Sequence, residues 1–475
     1  MKIRPKIAKI SSLVLAAVSV TALAFSLTAS QTVSATVPGV NELVNQSSGG
    51  AIGVGATITN HAISNNGRYV VFWSSATNLT PEASPGLFVR DTVNDTTVMA
   101  SLSDTGLPVT GASGKISYDG RYVVFHSSAP SVVAGVTTGQ HVYIRDLVNN
   151  TTRIVDTTPT GTVSSRGGFD PDVSADGRYV VFMTRDPILL GVQAGYDLNT
   201  PQVIVKDMVS GALRSITALP TQESRPYAAY SPGDTMYPSI DCDGRQVAFY
   251  TNNDYIPGTT RYMYQGYSRV DVYIATVDWT SNSIIRATPY GTGSGSTVTN
   301  ADAPPHVTCN GNHVVLSSNG SEPGVSLPNT KAQAMKYDRL TSTFSVASAN
   351  SSGSWSAGAD TRVSAVAASD DGRYIAFTNN GTALDSSKPQ TFKGTDYDLY
   401  IRDTKTGVTN LVSFTALGNY SGRILAAGHG NNISLSTDGS TVAFRYKTTT
   451  GDVNSELVSG VNTGGSDVYI AKTGF

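Results

Sequence analysis

The histidines are the first residues of this chain that could do chemistry, because imidazole serves as a metal ligand or as a general base. They lie on separate segments, without a His-x-x-x-His spacing that would place two imidazoles on one ion. A Gly-x-Ser-x-Gly motif for a nucleophilic serine is also missing from the sequence. The histidines therefore predict neither a metal site nor a catalytic one. They are His61, His126, His141, His306, His313 and His429.

Three close pairs of aspartates could supply an acid and a base: Asp170 with Asp172, Asp241 with Asp243, and Asp396 with Asp398. Each pair lies at a strand end or turn, where aspartate is expected for its backbone hydrogen bonding. We therefore expect no catalytic residue among them and no cofactor. One alternative stays open, because Asp396 and Asp398 follow Gly394 at the alternating spacing of a calcium loop, whereas an ordinary solvated loop has the same composition.

A cluster of tyrosines and arginines occupies two segments, 225–237 and 255–269. Tyrosine and arginine dominate the energetics of protein interfaces, and aromatic rings also suit sugars, so this cluster is the candidate binding site. The alternative is that two long loops bury their own tyrosines in a small satellite core. The candidate residues are Arg225, Tyr227, Tyr230, Tyr237, Tyr255, Arg261, Tyr262, Tyr264, Tyr267 and Arg269.

The element that must position these residues is a repeat, seen most fully as Asp-Gly-Arg-Tyr-Val-Val-Phe at 119–125 and 176–182. Asp-Gly between a short and a longer apolar strand predicts a hairpin, because glycine adopts a positive φ without steric cost. A third strand follows in each unit and a fourth in the first six, and the aspartates that begin the turn between them (Asp91, Asp146, Asp207, Asp338 and Asp403) are expected to cap it. The turn glycines, 53 to 67 residues apart, are Gly67, Gly120, Gly177, Gly244, Gly311, Gly372 and Gly439.

Seven such units predict an all-β fold, a single seven-bladed β-propeller of four-stranded antiparallel blades over residues 36–475. The seventh unit ends at Phe475 after its third strand, so its sheet lacks one strand. Residues 41–46 have the fourth-strand pattern and precede a connector rich in glycine and serine. We therefore predict that this N-terminal strand pairs into the last blade and closes the ring.

The repeat resembles the TolB-type WD40-like propeller repeat of secreted and periplasmic bacterial proteins. The similarity rests on Ser-x-Asp-Gly-Arg-Tyr-Val-Val-Phe, on Ser-Ser-Ala-Thr-Asn-Leu at 74–79 and on Asp-Leu-Tyr-Ile-Arg-Asp at 398–403. The resemblance implies the propeller fold over essentially the whole chain after residue 35. The family includes partner-binding scaffolds, so the resemblance does not imply one activity.

Export is expected from the N-terminus, where a basic start, an apolar stretch at 13–25 and small residues at 33–35 form a signal peptide over 1–35. Its retention as a membrane anchor is the alternative. The two cysteines, Cys242 and Cys309, occupy equivalent positions in consecutive repeats, so a disulfide is expected in an oxidising compartment, with two separate thiols as the alternative. The net charge is only -2 and no basic face is evident, which excludes a nucleic-acid partner.

The lengths of the connections between strands distinguish the two faces of the expected disc. The Asp-Gly turns and the third-to-fourth turns share one face and are short, whereas nearly all variation in length lies in the connections of the other face, hereafter the variable face. We therefore expect a secreted, monomeric, non-catalytic propeller that binds a protein or glycan through the variable face near blade four. The alternative is a propeller glycan lyase or glycoside hydrolase with its active site at the channel mouth.

Overall fold

The repeats form seven separate β-sheets, one for each turn glycine. The computed structural model describes residues 41–53, 58–191, 201–217, 237–251, 271–279, 283–288, 304–318, 325, 332–353, 363–380, 384, 397–414, 424, 433–447, 457–458, 461 and 465–475. The expected signal peptide, 1–35, lies outside these residues. Within them no helix has the length and apolar character needed to cross a membrane.

The strands are numbered in chain order, and the first, β1, is Asn41–Leu43. Blades one to three contain β2 Ile58–Ile63, β3 Tyr69–Ser74, β4 Gly86–Asp91, β5 Thr96–Met99, β6 Ala112–Ile116, β7 Tyr122–Ser127, β8 His141–Asp146, β9 Thr151–Ile154, β10 Gly168–Val173, β11 Tyr179–Thr184, the short helix α1 Pro187–Leu190, β12 Gln202–Asp207 and β13 Leu213–Ser215. Blades four to seven contain β14 Ser239–Ile240, β15 Gln246–Thr251, β16 Asp271–Thr276, β17 Ser283–Arg286, β18 His306–Val307, β19 His313–Ser318, β20 Gln333–Asp338, β21 Thr343–Val346, β22 Val363–Ala368, β23 Tyr374–Asn379, β24 Asp398–Asp403, β25 Thr409–Leu411, β26 Ile433–Leu435, β27 Thr441–Lys447 and β28 Ser466–Lys472.

Each blade is a four-stranded antiparallel meander, so the predicted fold class, a seven-bladed all-β propeller, is confirmed. In the first six blades the strands pair in chain order. The sheet of the seventh blade has the order β1-β28-β27-β26, and Asn41 lies opposite Ala471 while Leu43 lies opposite Tyr469. That the integrity of the ring depends on this strand stays a prediction.

A polar contact between the third and fourth strands recurs in the blades and shows how β1 substitutes for a fourth strand. In blade three the Thr217 hydroxyl donates to Gln202 and accepts from the backbone N–H of Val203. In blade seven the Asn45 side chain makes both bonds, donating to Asp467 at 2.8 Å and accepting from the N–H of Val468 at 2.9 Å. The residues after β1 therefore reproduce the interactions of a fourth strand.

The core lies between neighbouring blades and is built on one apolar residue of each second strand, five positions after the turn glycine. All seven of these side chains are almost completely buried, as the alternation of the repeat predicts. Burial of each stabilises the fold by roughly 1.5 to 3 kcal/mol. The residues are Phe72, Phe125, Phe182, Phe249, Leu316, Phe377 and Phe444.

The hairpin turns also join one blade to the next, which the repeat pattern alone did not indicate. Gly177 has a φ of +73°, and a Cβ at this position would overlap the ring of Tyr122 in the preceding blade. Arg121 lies over that ring, 4.8 Å from its centroid, and pairs with Asp146 at 2.7 Å. The turn glycine is therefore required for a close approach between blades as well as for its backbone conformation.

The aspartates at the third-to-fourth turns cap them as predicted. Oδ1 of Asp146 accepts hydrogen bonds from the N–H groups of Val148 and Asn149 at 2.9 and 3.0 Å. The side-chain hydrogen bond of Arg121 lowers the pKa of Asp146 to about 2, against the opposing effect of burial. The same carboxylate thus holds its own turn and the arginine of the hairpin turn.

Candidate functional site

A ring of seven side chains surrounds the axial channel, hereafter the channel ring. Each member lies five residues before the turn glycine of its blade, on the innermost strand. Six of the seven line a cavity of about 90 Å³, which is room for several water molecules. The ring contains a cation, a carboxylate, an imidazole and two hydroxyls, so it varies from blade to blade where the turns do not. In blade order the members are Ala62, Lys115, Asp172, Ser239, His306, Ala367 and Ser434.

Three polar members of the channel ring bind the next blade: Asp172, Ser239 and Ser434, which accepts from the N–H of Ile63 in blade one. Oδ2 of Asp172 accepts from the N–H of Ile240 at 3.1 Å, and the Oγ of Ser239 accepts from the N–H of Val307 at 3.3 Å. The Ser239 hydroxyl also hydrogen-bonds to Asp172. Side chains of this ring therefore link blades three, four and five.

Asp172 lines the channel and is half-buried. Burial raises the pKa of its carboxyl, and the charge of Lys115 lowers it in part. Its second oxygen accepts from the N–H of Val173 at 2.9 Å. Both carboxylate oxygens are thus occupied by the scaffold, which does not suit a general base.

Lys115 and His306 behave differently from the other polar members of the channel ring. Among the described residues, none hydrogen-bonds the Lys115 ammonium or the His306 imidazole, and none forms an ion pair with Lys115 within 4.0 Å. Burial, with a smaller effect of the Lys115 charge, lowers the pKa of His306 to about 4. At neutral pH the channel therefore offers one unpaired cation and one neutral imidazole.

The end of the channel at the hairpin turns is closed. It is surrounded by the residues two before each turn glycine, including Asn65, Cys242 and Cys309. Cys242 and Cys309 form a disulfide between blades four and five, with Cα atoms 4.6 Å apart. Nδ2 of Asn65, on blade one, lies 3.0 Å from Sγ of Cys242 on blade four. This contact between blades one and four spans the channel and obstructs it at this end.

Backbone hydrogen bonds between neighbouring blades hold this closed end together. The N–H of Tyr118 donates to the carbonyl of Ala175, and the N–H of Ala175 donates to that of Cys242. The N–H of Cys242 donates to the carbonyl oxygen of Cys309 at 3.1 Å. The N–H of Thr437 donates to the carbonyl oxygen of Asn65 at 2.8 Å. This end is therefore a rigid ring of backbone and side chains.

Towards the variable face, blades two and three form a second polar cluster. Oγ of Ser113 donates to Oδ1 of Asp170 at 2.9 Å, and Nδ1 of His126 accepts from the Asp170 N–H at 3.2 Å. Ser113 and Asp170 both have a positive φ, +52° and +47°, at irregularities in the pairing of their strands. The serine bonds the aspartate and not the histidine, so this cluster lacks the order of a Ser-His-Asp triad.

His141 holds the loop before β8. Its Nδ1 lies 2.7 Å from a carboxylate oxygen of Asp156, and its Nε2 lies 2.9 Å from the carbonyl oxygen of Thr138. Burial lowers the pKa of His141, but the hydrogen bond and charge of Asp156 outweigh it and raise that pKa above its usual value. Since both ring nitrogens face acceptors, the geometry fits a charged imidazolium with a structural role.

The other described histidines are packed into the scaffold, as an ordinary polar or core role predicts. Burial lowers the pKa of His61 to about 3, and His313 packs against the turn glycine Gly372. His429 lies outside the described residues. Within those residues, no three His, Cys, Asp or Glu side chains come together as metal ligands do.

The aspartate pairs occupy scaffold positions where the structure describes them. Asp241 accepts the N–H groups of Arg245 and Gln246 and lies beside Asp243 at the blade-four turn. Asp398 is buried and accepts from the Ser413 hydroxyl at 3.4 Å, in the contact between third and fourth strands. Asp396 is outside the described residues, so the calcium loop remains untested.

Of the candidate tyrosines and arginines, the structure describes only Tyr237. Its ring lies 5.5 Å from that of Tyr250, and it packs against the core between blades four and five. That position fits the alternative of a small satellite core for this one residue. Outside the described residues lie Arg225, Tyr227, Tyr230, Tyr255, Arg261, Tyr262, Tyr264, Tyr267 and Arg269.

Sequence reasoning missed the channel ring, although the chain carries a signal for it. Counting five residues back from each turn glycine gives one position per blade. The motif patterns draw attention to only two of these residues, Asp172 as a member of an aspartate pair and His306 as one of the histidines. The disulfide is predicted in the same way, because Cys242 and Cys309 each lie two residues before the turn glycine of their blade.

The solved structures that are similar to this chain are distant from it in sequence. No family model matches the chain, and no curated protein matches it. Among solved structures, an oligogalacturonate lyase from Vibrio parahaemolyticus is 12% identical with a TM-score of 0.48, covering 91% of this chain and 90% of that one. The β-propeller domain of the Trilobed protease from Pyrococcus furiosus is also 12% identical, with a TM-score of 0.47 over 88% and 93% of the two chains.

A TolB from Acinetobacter baumannii is 14% identical with a TM-score of 0.36, covering 88% of this chain and 79% of that one. These neighbours include enzymes and a TolB protein, and at such identities no function passes from any of them to this chain. Membership of the TolB-type repeat family stays a prediction.

Proposed function

We propose that this protein is a secreted, monomeric, non-catalytic propeller that binds a protein or glycan on its variable face, over the open end of the axial channel. The observation that carries the proposal is the closed turn end, where Asn65 contacts Cys242 across the channel. A ligand that reaches the channel ring must then enter from the variable face. Loops on a rigid scaffold are common binding surfaces.

The non-catalytic part of the proposal is supported by the state of the channel carboxylate. Asp172 accepts hydrogen bonds with both oxygens and thereby joins blades three and four. A substrate that displaced Asp172 from these hydrogen bonds would weaken the contact between blades three and four. The disulfide between Cys242 and Cys309 supports an oxidising compartment, consistent with the export expected from residues 1–35.

The test uses the mature protein on a glycan array and in affinity capture from culture medium. The Tyr262→Ala/Tyr264→Ala double variant is expected to lose binding at least about tenfold, because tyrosine anchors contribute most of the energy at such interfaces. The control is Tyr118→Ala, an exposed tyrosine at the closed end, which should bind like the wild type. Equal binding by all three proteins would remove the blade-four loops as the site.

One observation favours the second candidate, a glycan lyase or glycoside hydrolase. His306 is neutral, lines the channel and has no partner among the described residues, so it could accept a proton. A screen of polysaccharides for new reducing ends and unsaturated products separates the two functions. Turnover by the wild type that disappears in His306→Gln would replace the binding proposal with the enzymatic one.

A further inference from the structure

We propose that the channel ring binds the carboxylate group of a small acidic ligand, held by the Lys115 ammonium, a ring N–H of His306 and the Ser434 hydroxyl. This inference rests on the proposed function only for the direction of entry, from the variable face. It adds the class of ligand and the residues that would select it.

The Lys115 ammonium provides the attraction. It lines the channel, and no described side chain forms an ion pair with it within 4.0 Å, so the charge of Asp172 compensates it only at longer range. The nearest fixed carboxylate of the ring, Asp172, already accepts from Val173 and Ile240. An ion with little bulk water around it interacts more strongly with an opposite charge than it would at the surface.

His306 and Ser434 provide directed hydrogen-bond donors. Neutral imidazole carries one N–H, and no described residue uses it. Oγ of Ser434 accepts from the N–H of Ile63 at 3.0 Å, which leaves its own hydrogen available to donate. A carboxylate can accept from several donors at once, so three donors from blades two, five and seven suit it.

The order of residues around the channel ring leaves space between these donors. From Lys115 to His306 by way of blades one, seven and six, the intervening residues are Ala62, Ser434 and Ala367, all small. The other way round are Asp172 and Ser239, which are bonded to each other and to the next blades. The open sector is thus bounded by the cation and the imidazole.

Size and charge narrow the ligand class. A cavity of about 90 Å³ admits a carboxylate with one or two carbons, so a larger acid would place only its carboxylate here. Asp172 in the same ring disfavours a second negative charge, because like charges repel at short range. A monovalent carboxylate should therefore bind better than a phosphate dianion.

The carboxylate could belong to a simple organic acid or to an acidic sugar, and separate arms distinguish the two. Acetate and glucuronate are titrated into the mature protein by calorimetry, with glucose and inorganic phosphate as comparisons. Saturable binding of acetate supports the carboxylate site, and tighter binding of glucuronate indicates the sugar as the source. Absence of saturable binding by both acids would overturn the proposal.

Substitutions assign the binding to the ring. Lys115→Met should weaken acetate binding at least about tenfold, and Ser434→Ala less, because a charged hydrogen bond contributes more than a neutral one. Lys405→Met removes an exposed lysine at an outer turn and is the matched control. Unchanged affinity in Lys115→Met, or lower thermal stability with unchanged affinity, would mean that Lys115 only neutralises Asp172 and would overturn the proposal.

A measurement on the wild type covers the case in which Lys115→Met fails to fold. With ¹⁵N-labelled histidine, the His306 signals should move on acetate titration, while those of His126, outside the channel ring, should not. The reverse pattern would contradict the site. The Tyr262→Ala/Tyr264→Ala variant should still bind acetate. Unchanged partner capture by that variant, together with intact acetate binding, would refute the proposed blade-four site and leave this inference standing.

Discussion

The hairpin turns contain the seven turn glycines, and the channel ring lies five residues before each of them. The two sets of residues differ in how much they vary from blade to blade. The turn repeats nearly the same residues, and its members contact the next blade through Tyr122 on Gly177 and its equivalents. The channel ring, five residues before each glycine, has five residue types at its seven positions. Seven blades of one shape need seven similar joints, whereas a ligand on the axis needs unlike groups around it.

The largest expected effect concerns the seventh blade, whose fourth strand, β1, comes from the N-terminus. A protein beginning after Gln46 loses the buried Leu43 and Val44 and both side-chain bonds of Asn45. We expect the free energy of unfolding to fall on the order of 5 kcal/mol. The measurement is thermal unfolding by circular dichroism, compared with a protein beginning at residue 36. An equally high and equally cooperative transition would show that β1 does not hold the ring closed.

The second prediction separates the two reasons for a turn glycine. Gly177→Ala introduces both an unfavourable φ and an overlap with Tyr122, and should cost about 3 kcal/mol or more. Gly135 has a similar φ of +83° with no atom within 4 Å of an added Cβ, so Gly135→Ala should cost only about 1 kcal/mol. Both are measured by denaturant unfolding. Equal costs would mean that the turn glycines do not join the blades.

The smallest expected effect lies at the one turn that departs from the pattern. Six blades have serine or threonine three residues before the glycine, and its hydroxyl donates to the aspartate or asparagine two residues later, as Ser117 does to Asp119 at 2.9 Å. Blade four has Asp241 there, and burial, with the charge of Asp243, raises its pKa to about 7. Blade four therefore has two neighbouring carboxylates, Asp241 and Asp243, at the positions where Ser117 and Asp119 lie in blade two.

A raised pKa means that the folded state favours protonated Asp241, so its contribution to stability is present below about pH 4 and is lost as the pH rises to about 7. Asp241→Ser should therefore stabilise the protein by about 1 kcal/mol at pH 8 and by little at pH 4. Thermal unfolding at both pH values measures the difference, with Thr308→Ser as the control. A benefit that is independent of pH would contradict the assignment to the carboxyl.

The architecture was predictable because it depends on features that are local and repeated. Asp-Gly turns, strand alternation and the buried Phe125 series each follow from a few neighbouring residues, and seven copies reinforce one another. The contacts of Tyr122 with Gly177 and of Arg121 with Asp146 were not predicted, because they join residues about 25 to 55 positions apart. Only the folded ring brings them together.

What the sequence determined by itself was the spacing: seven blades, equivalent cysteines at 242 and 309, and a fourth strand missing from the last unit. The spacing of the repeats can be read from the sequence because each hairpin turn requires a glycine at a positive φ. Only the tertiary structure decided that Asn65 meets Cys242 across the axis and that Lys115 and His306 share one cavity. Those residues lie on different blades, and closure of the ring sets the distances between them.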